Sequence, residues 1–178
     1  VIAGIALAGA ATAVLAACGG SSDTSSPTGS SGASSSSSIS AQHNQQDTMF
    51  LQMMIPHHEQ AITMSALAPS RTQNAAVLKL ASQIEAAQGP EIEQMKSWLT
   101  AWNEPLAAGS MSGMDHGSGG GMDGMMTAEQ MTALEQAKGA AFDKLYLQDM
   151  IAHHEGAVVM AQQEIDSGEN PQVKALAQ

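Results

Sequence analysis

Asp47-Thr-Met-Phe-Leu-Gln-Met-Met-Ile-Pro-His-His-Glu-Gln-Ala-Ile-Thr-Met64 returns 96 residues later as Asp143-Lys-Leu-Tyr-Leu-Gln-Asp-Met-Ile-Ala-His-His-Glu-Gly-Ala-Val-Val-Met160, with ten of 18 positions identical. The register continues, since Asn74-Ala-Ala-Val-Leu-Lys-Leu-Ala81 falls on Asn170-Pro-Gln-Val-Lys-Ala-Leu-Ala177 at the same offset. Each repeat is therefore longer than one helix. In repeat one, apolar residues at 50, 51, 54, 61 and 68 follow the three-and-four spacing of a helical face, which predicts a helix over about Asp47 to Ala68. Pro69 is expected to stop it, and Pro56 to kink it just before the histidines. A second helix is expected over about Thr72 to Trp102, bent or broken at Gly89-Pro90.

Repeat two follows a linker over about Asn103 to Met126. Thr127-Ala-Glu-Gln130 reads as a capping box opening a short helix, and Gly139 separates that helix from a long one over about Ala140 to Asp166. Gly168 suits its C-terminal cap, and Asn170 with Pro171 suits the start of the next helix. The fold expected is all-α, a four-helix bundle of two helix-pair repeats (residues 47–102 and 127–178) whose fourth helix is truncated in this chain.

Placing Met54 at the centre of a helical wheel puts Asp47, Phe50, His57, His58, Ala61 and Ser65 within about 60° of it. Met150, His153, His154, Ala157 and Met160 copy the stripe. Two such helices facing each other would bring four imidazoles together with the thioethers of Met54, Met64, Met150 and Met160. Imidazole binds several transition metals, whereas the soft, neutral thioether selects Cu(I), so the mixture points to copper. Outside the cytoplasm methionine also supplies sulfur without the disulfide chemistry of a cysteine site. The competing reading is that the methionines fill a core and the histidines merely pack. Core packing is preferred for Met49, Met53 and Met95, and a solvated helix face for Glu59 and Glu155. Asp47 and Asp143 are either ligands or N-terminal caps; Phe50, Tyr146, Trp98 and Trp102 read as core or bundle-end anchors.

The linker carries a second candidate. Met111, Met114, His116, Met122, Met125 and Met126 stand with two aspartates among Gly and Ser, where core packing does not explain methionine and a Gly-rich chain can wrap a small ion. This tract resembles the Met-rich segments of bacterial copper-resistance proteins.

The first 46 residues read differently. Residues 1–17 are small or apolar and uncharged, matching the h-region of a signal peptide whose n-region is missing, so the signal peptide is expected to be incomplete. Leu15-Ala16-Ala17-Cys18 resembles the lipobox of bacterial lipoproteins, which makes the chain's single cysteine, Cys18, a lipidation site and the membrane a partner through a lipid anchor. Residues 18–46, rich in Ser and Gly, read as a stalk, with His43 solvated near its end.

Composition sets the outer limits. Of 178 residues, 6 are Lys or Arg and 17 are Asp or Glu; the net charge of −11 argues against nucleic acid as a partner. Thirteen Met against 1 Cys exclude a disulfide scaffold and a thiolate zinc site. The Gly run 117–121 lacks the strand and Lys-Ser/Thr of a phosphate loop, His-Glu-x-x-His is not formed, and no Gly-x-Ser-x-Gly elbow is present. Catalysis and an organic cofactor are thus not expected.

The signature Met-Ile-x-His-His-x-x-Ala-x-x-Met, at 54–64 and again at 150–160, resembles that of the secreted bacterial family called domain of unknown function 305. The resemblance covers about Asn44 to Trp102 and Gly139 to Gln178. It implies a ferritin-like bundle of two similar helix pairs and, from some members, copper binding and copper tolerance. The Glu and Glu-x-x-His pattern of ferritin-like di-iron sites is absent. The expected function is that of an extracytoplasmic envelope lipoprotein binding copper, as Cu(I), for sequestration or delivery to a copper-handling envelope protein. The alternative is a non-metal interaction module with structural histidines.

Overall fold

Asparagine begins three of the helices. Asn44 Oδ1 accepts from the N–H groups of Gln46 and Asp47, and the Asp47 carboxylate accepts from Asn44 N–H at 2.7 Å, closing a capping box at the start of α1 (Gln45–Arg71). Asn74 caps α2 (Ala75–Ala101) and Asn170 caps α5 (Pro171–Ala177), 96 residues apart as the repeat requires. Thr127 and Gln130 form the expected box on α3 (Ala128–Gln136), and Gly139, at φ +56°, precedes α4 (Ala140–Ser167). In this computed structural model residues 39–107 and 124–178 are described. The chain divides into two units, Val1–Ser36 and Ser37–Gln178, and everything below concerns the second. Cys18, Met111, Met114, His116 and Met122 lie outside the described residues.

The protein is all-α. α1 and α2 form a long antiparallel hairpin over the three-residue turn 72–74, and α4 packs against α1. Neither proline behaves as a stop. Pro69 lies inside α1, which runs on to Arg71; the helix end is secured one residue later, where Thr72 N–H reaches Ala68 O at 3.0 Å and Arg71 O accepts from Gly139 N–H at 2.7 Å. α2 begins at Ala75 rather than near Thr72, and runs unbroken through Gly89-Pro90. One missing N–H is tolerated there because Ile84 and Gln88 before the proline, and Ile92 and Met95 after it, are all buried.

Two apolar clusters form the core. Ala61, Met64, Ala68, Phe142, Tyr146 and Met150 belong to one, with Met126 and Leu134; Phe50, Leu51, Met54, Ile55, Met95 and Met160 belong to the other. Each cluster draws on both α1 and α4, and His57 and His153 fall between the two sets along their helices. Met126 is thus a core residue, and its place in the linker tract is corrected: its main chain is clamped by Gln60, which accepts from Met126 N–H at 2.7 Å and donates to Met126 O at 2.9 Å. Met125 is half-buried beside it. Residues 39–44 are also tied down, since Asn170 donates to Ser40 O and Gln42 O, and Trp102 Nε1 donates to Ser40 O. His43 stacks on Trp102 with ring centroids 4.0 Å apart, so it is not the solvated residue expected. Among the described residues no helix is long and apolar enough to cross a membrane.

Candidate metal centre

The repeated His-His pair places one ring of each repeat inward and one outward, because neighbouring helical positions differ by about 100°. His57 on α1 and His153 on α4 are buried, with ring centroids 3.6 Å apart and planes tilted by 34°. Burial, then the neighbouring rings of His57, His154 and His58, pushes His153 down to about 3. It is therefore neutral at physiological pH, and no hydrogen bond of ordinary geometry reaches either ring nitrogen. Ala61 and Ala157 follow the histidines by one turn on the same faces, and Ala61 is wholly buried.

The outward rings are half-buried His58 and exposed His154. His58 Nε2 lies 2.9 Å from Glu91 Oε2 on α2. A carboxylate accepts, so Nε2 carries the proton and Nδ1, buried without a hydrogen-bond partner, keeps the lone pair. Burial lowers the His58 pKa, partly offset by the Glu91 hydrogen bond and charge. A carboxylate holding one imidazole nitrogen so that the other can bind is the usual arrangement behind a metal-ligating histidine. His154 Nδ1 donates to Met150 O at 2.8 Å, which leaves Nε2 as its lone-pair nitrogen. His58 and His154 line one pocket of about 230 Å³, together with Met54, Met95, Glu91 and Phe50.

The four imidazoles are thus not gathered around one point. Among the described residues no group of three or more His, Cys, Asp or Glu side chains is placed to hold a metal ion. The pocket instead joins two imidazoles, two thioethers and one carboxylate. Of the sequence candidates, Met54 lines it; Met160 shares a core cluster with Met54 and Met95, and Met64 and Met150 lie in the cluster with Phe142 and Tyr146. Glu91 and Met95 were missed as site residues. They sit one turn apart on α2, but nothing in their own segment says which face of α2 meets the histidines.

Asp47 and Asp143 are structural. Asp47 accepts from the backbone of Asn44, Glu169 and Asn170, while Asp143 Oδ2 accepts from Asn74 Nδ2 at 2.9 Å. Each aspartate therefore reaches the capping asparagine of the other repeat. Glu59 is exposed and pairs with Lys96 at 2.9 Å. The repeats differ where the linker returns: a Cβ on Gly124, at φ +79°, would stand 2.7 Å from Ala152 O and 3.0 Å from the Gly156 Cα. Gly156 admits this crossing, and its counterpart Gln60 holds Met126.

The family model for Domain of unknown function (DUF305) matches residues 47–178. The chain belongs to the DUF305 family. Among solved structures, a DUF305 protein of Streptomyces coelicolor is 33% identical, with TM-score 0.66, the match covering 74% of this chain and 79% of that one. CopM in its Cu(I)-bound form is 32% identical, with TM-score 0.58, over 74% of this chain and 81% of CopM; CopM has also been solved with Cu(II) and with silver. An uncharacterized protein of Acanthamoeba polyphaga mimivirus, L153, is 43% identical over 53 residues, which is 30% of this DUF305 chain and 35% of that protein's length.

Proposed function

We propose that this DUF305 chain binds copper outside the cytoplasm, taking Cu(I) at the pocket shared by His58 and His154, and holds it for sequestration or for delivery to another envelope protein. The observation that carries this reading is the pocket itself. Equivalent histidines of the two repeats meet there with Met54 and Met95, and Glu91 fixes the tautomer of His58. Neutral imidazole and thioether donors suit Cu(I), and the lowered pKa of His58 keeps the proton from competing for its nitrogen. The existence of CopM structures with copper and silver supports the same assignment. Nothing in the pocket supplies a nucleophile with an adjacent base, so binding without turnover is the assigned role. Cys18 anchors the chain as a lipoprotein in this reading.

Chelator competition with Cu(I), performed on the parent chain and on His58→Ala/His154→Ala, tests the assignment. His154 is exposed and His58 half-buried, and circular dichroism checks that the variant keeps its helices. Loss of a high-affinity equivalent is expected; equal affinity of parent and variant would overturn the site. Glu91→Gln is expected to weaken Cu(I) binding about 10- to 100-fold, the usual cost of losing a carboxylate behind a ligating imidazole.

A further inference from the structure

Gln46, Met49, Phe50 and Met53 follow one another at i, i+3, i+4 and i+7 along one stripe of α1, and Met160 and Gln163 stand at i and i+3 on α4. These six residues line a second pocket of about 20 Å³. That volume holds one water-sized species. Core packing was the expectation for Met49 and Met53, yet Met49 is 37% exposed and Met53 only half-buried. Met160 belongs to the adjacent core cluster and Met53 packs against it, so Met49 is the thioether of the three that is left at the surface.

The repeat supplies an internal control. At the offset of 96, Gln46, Met49, Phe50, Met53, Met160 and Gln163 correspond to Phe142, Leu145, Tyr146, Asp149, Met64 and Leu67. Asp149 apart, those counterparts belong to, or pack against, the core cluster of their half, where Phe142, Tyr146 and Met64 are wholly buried. In that half the same register thus holds one thioether, Met64, and one carboxylate, Asp149, among apolar and aromatic side chains. In the other it carries three thioethers around an ion-sized space.

We infer that Met49, Met53 and Met160 form a second metal site, taking one soft monovalent cation, Cu(I) or Ag(I), apart from the His58/His154 pocket. Thioether sulfur is a soft, uncharged donor that favours such ions. Among the described residues no imidazole or carboxylate lines the pocket, so it lacks the nitrogen and charged oxygen donors that Zn(II), Cu(II) and Mg(II) require. The chain's net charge of −11 raises the local concentration of cations, and the Phe50 ring adds its π-face. Phe50 lines both pockets and so stands between the two sites. The thioether site does not rest on the imidazole assignment.

The test uses the full chain carrying ¹³C-methyl methionine, titrated with Ag(I) and separately with Zn(II), each methyl being assigned from single Met→Leu variants. Ag(I) is expected to move the methyl signals of Met49, Met53 and Met160 together, and Zn(II) to leave them in place. Met49→Leu/Met53→Leu, which conserves volume, is expected to keep the metal-free melting temperature and to bind one fewer Ag(I). His58→Ala/His154→Ala is expected to retain all three shifts, so failure of the imidazole site and failure of this one are separable. Three unmoved methyls at saturating Ag(I), an unchanged Ag(I) count in the double Leu variant, or equal shifts with Zn(II) would each overturn the inference.

Discussion

Glu164 is wholly buried, and burial, then the side chain and charge of Asp47, pushes its carboxyl up to about 8 from an ordinary 4.5, against a smaller lowering by Lys174. Asp47 shifts the other way. Burial raises it, but the hydrogen bonds from Asn44, Glu164, Asn170 and Glu169 together outweigh that and bring it below 3.8. The proton shared by this pair therefore resides on Glu164 near neutral pH. Between about 4.5 and 8 the folded chain keeps that proton while the unfolded chain has released it, so stability from this group falls as pH rises through that window. His153 acts in the opposite sense: the unfolded chain takes up a proton below 6.5, the folded chain only near 3, so stability falls as pH drops across that range. The two slopes oppose each other between 4.5 and 6.5. The metal-free protein should accordingly be most stable there, losing up to about 1.4 kcal/mol per pH unit on the alkaline side. Urea melts from pH 4 to 9 check this, and Glu164→Gln should flatten the alkaline limb while leaving the acid limb. Nothing in the sequence marked Glu164, because its repeat counterpart is Ala68 and the charge breaks the pattern rather than following it. Gly168 is the C-cap of α4 as expected; its φ of −70° does not itself need glycine, but a Cβ there would stand 2.8 Å from Glu164 O and 2.6 Å from the Glu164 Cδ.

At the scale of elements, the reciprocal ties between Asp47 and Asn170 and between Asp143 and Asn74 make helix capping and repeat docking one interaction. Asn74→Ala should cost about 1 kcal/mol, the usual loss of an N-cap acceptor. Asn170→Ala should cost clearly more, since that side chain is fully buried and also donates to Ser40 O and Gln42 O. Denaturant midpoints of the two variants give the comparison directly. Asn170 was legible as a cap because Pro171 follows it, as were the Thr127 box and Gly139. Asn74 lacked such a flag, although the 96-residue offset points to it. Gly89-Pro90 misled because local propensity disfavours the helix there by a few kcal/mol at most, and burial of residues on both sides outweighs it, whereas Pro69 stands only two residues before the end of α1.

At the scale of the molecule, a repeat in sequence has become two halves in different surroundings, and this limits how far the site could be read from the chain alone. That the histidines of α1 and α4 meet follows from the repeat and the helical wheel, although the wheel does not single out His57 and His153 as the inward pair. The pocket at His58 and His154 does not, because it depends on α2 supplying Glu91 and Met95 to one half only. The same inequality governs the outer faces. Leu51, Ile55 and Ile62 on α1 belong to, or pack against, the core cluster that includes Ile92, Met95 and Leu99 of α2. Their counterparts Leu147, Ile151 and Val158 on α4 are 39%, 60% and 67% exposed. Identical residues at equivalent positions should therefore respond differently to the same substitution. Ile55→Lys buries an ammonium with no partner and strips a filled core site, a change that should cost several kcal/mol and unfold much of the population. Ile151→Lys places the same charge where most of the side chain already meets solvent, and should shift stability by no more than about 0.5 kcal/mol. Paired urea melts on the two variants decide the matter: a large loss at both positions would mean that the α4 face is covered in solution, and a small loss at both would mean that α2 does not pack on α1 as described.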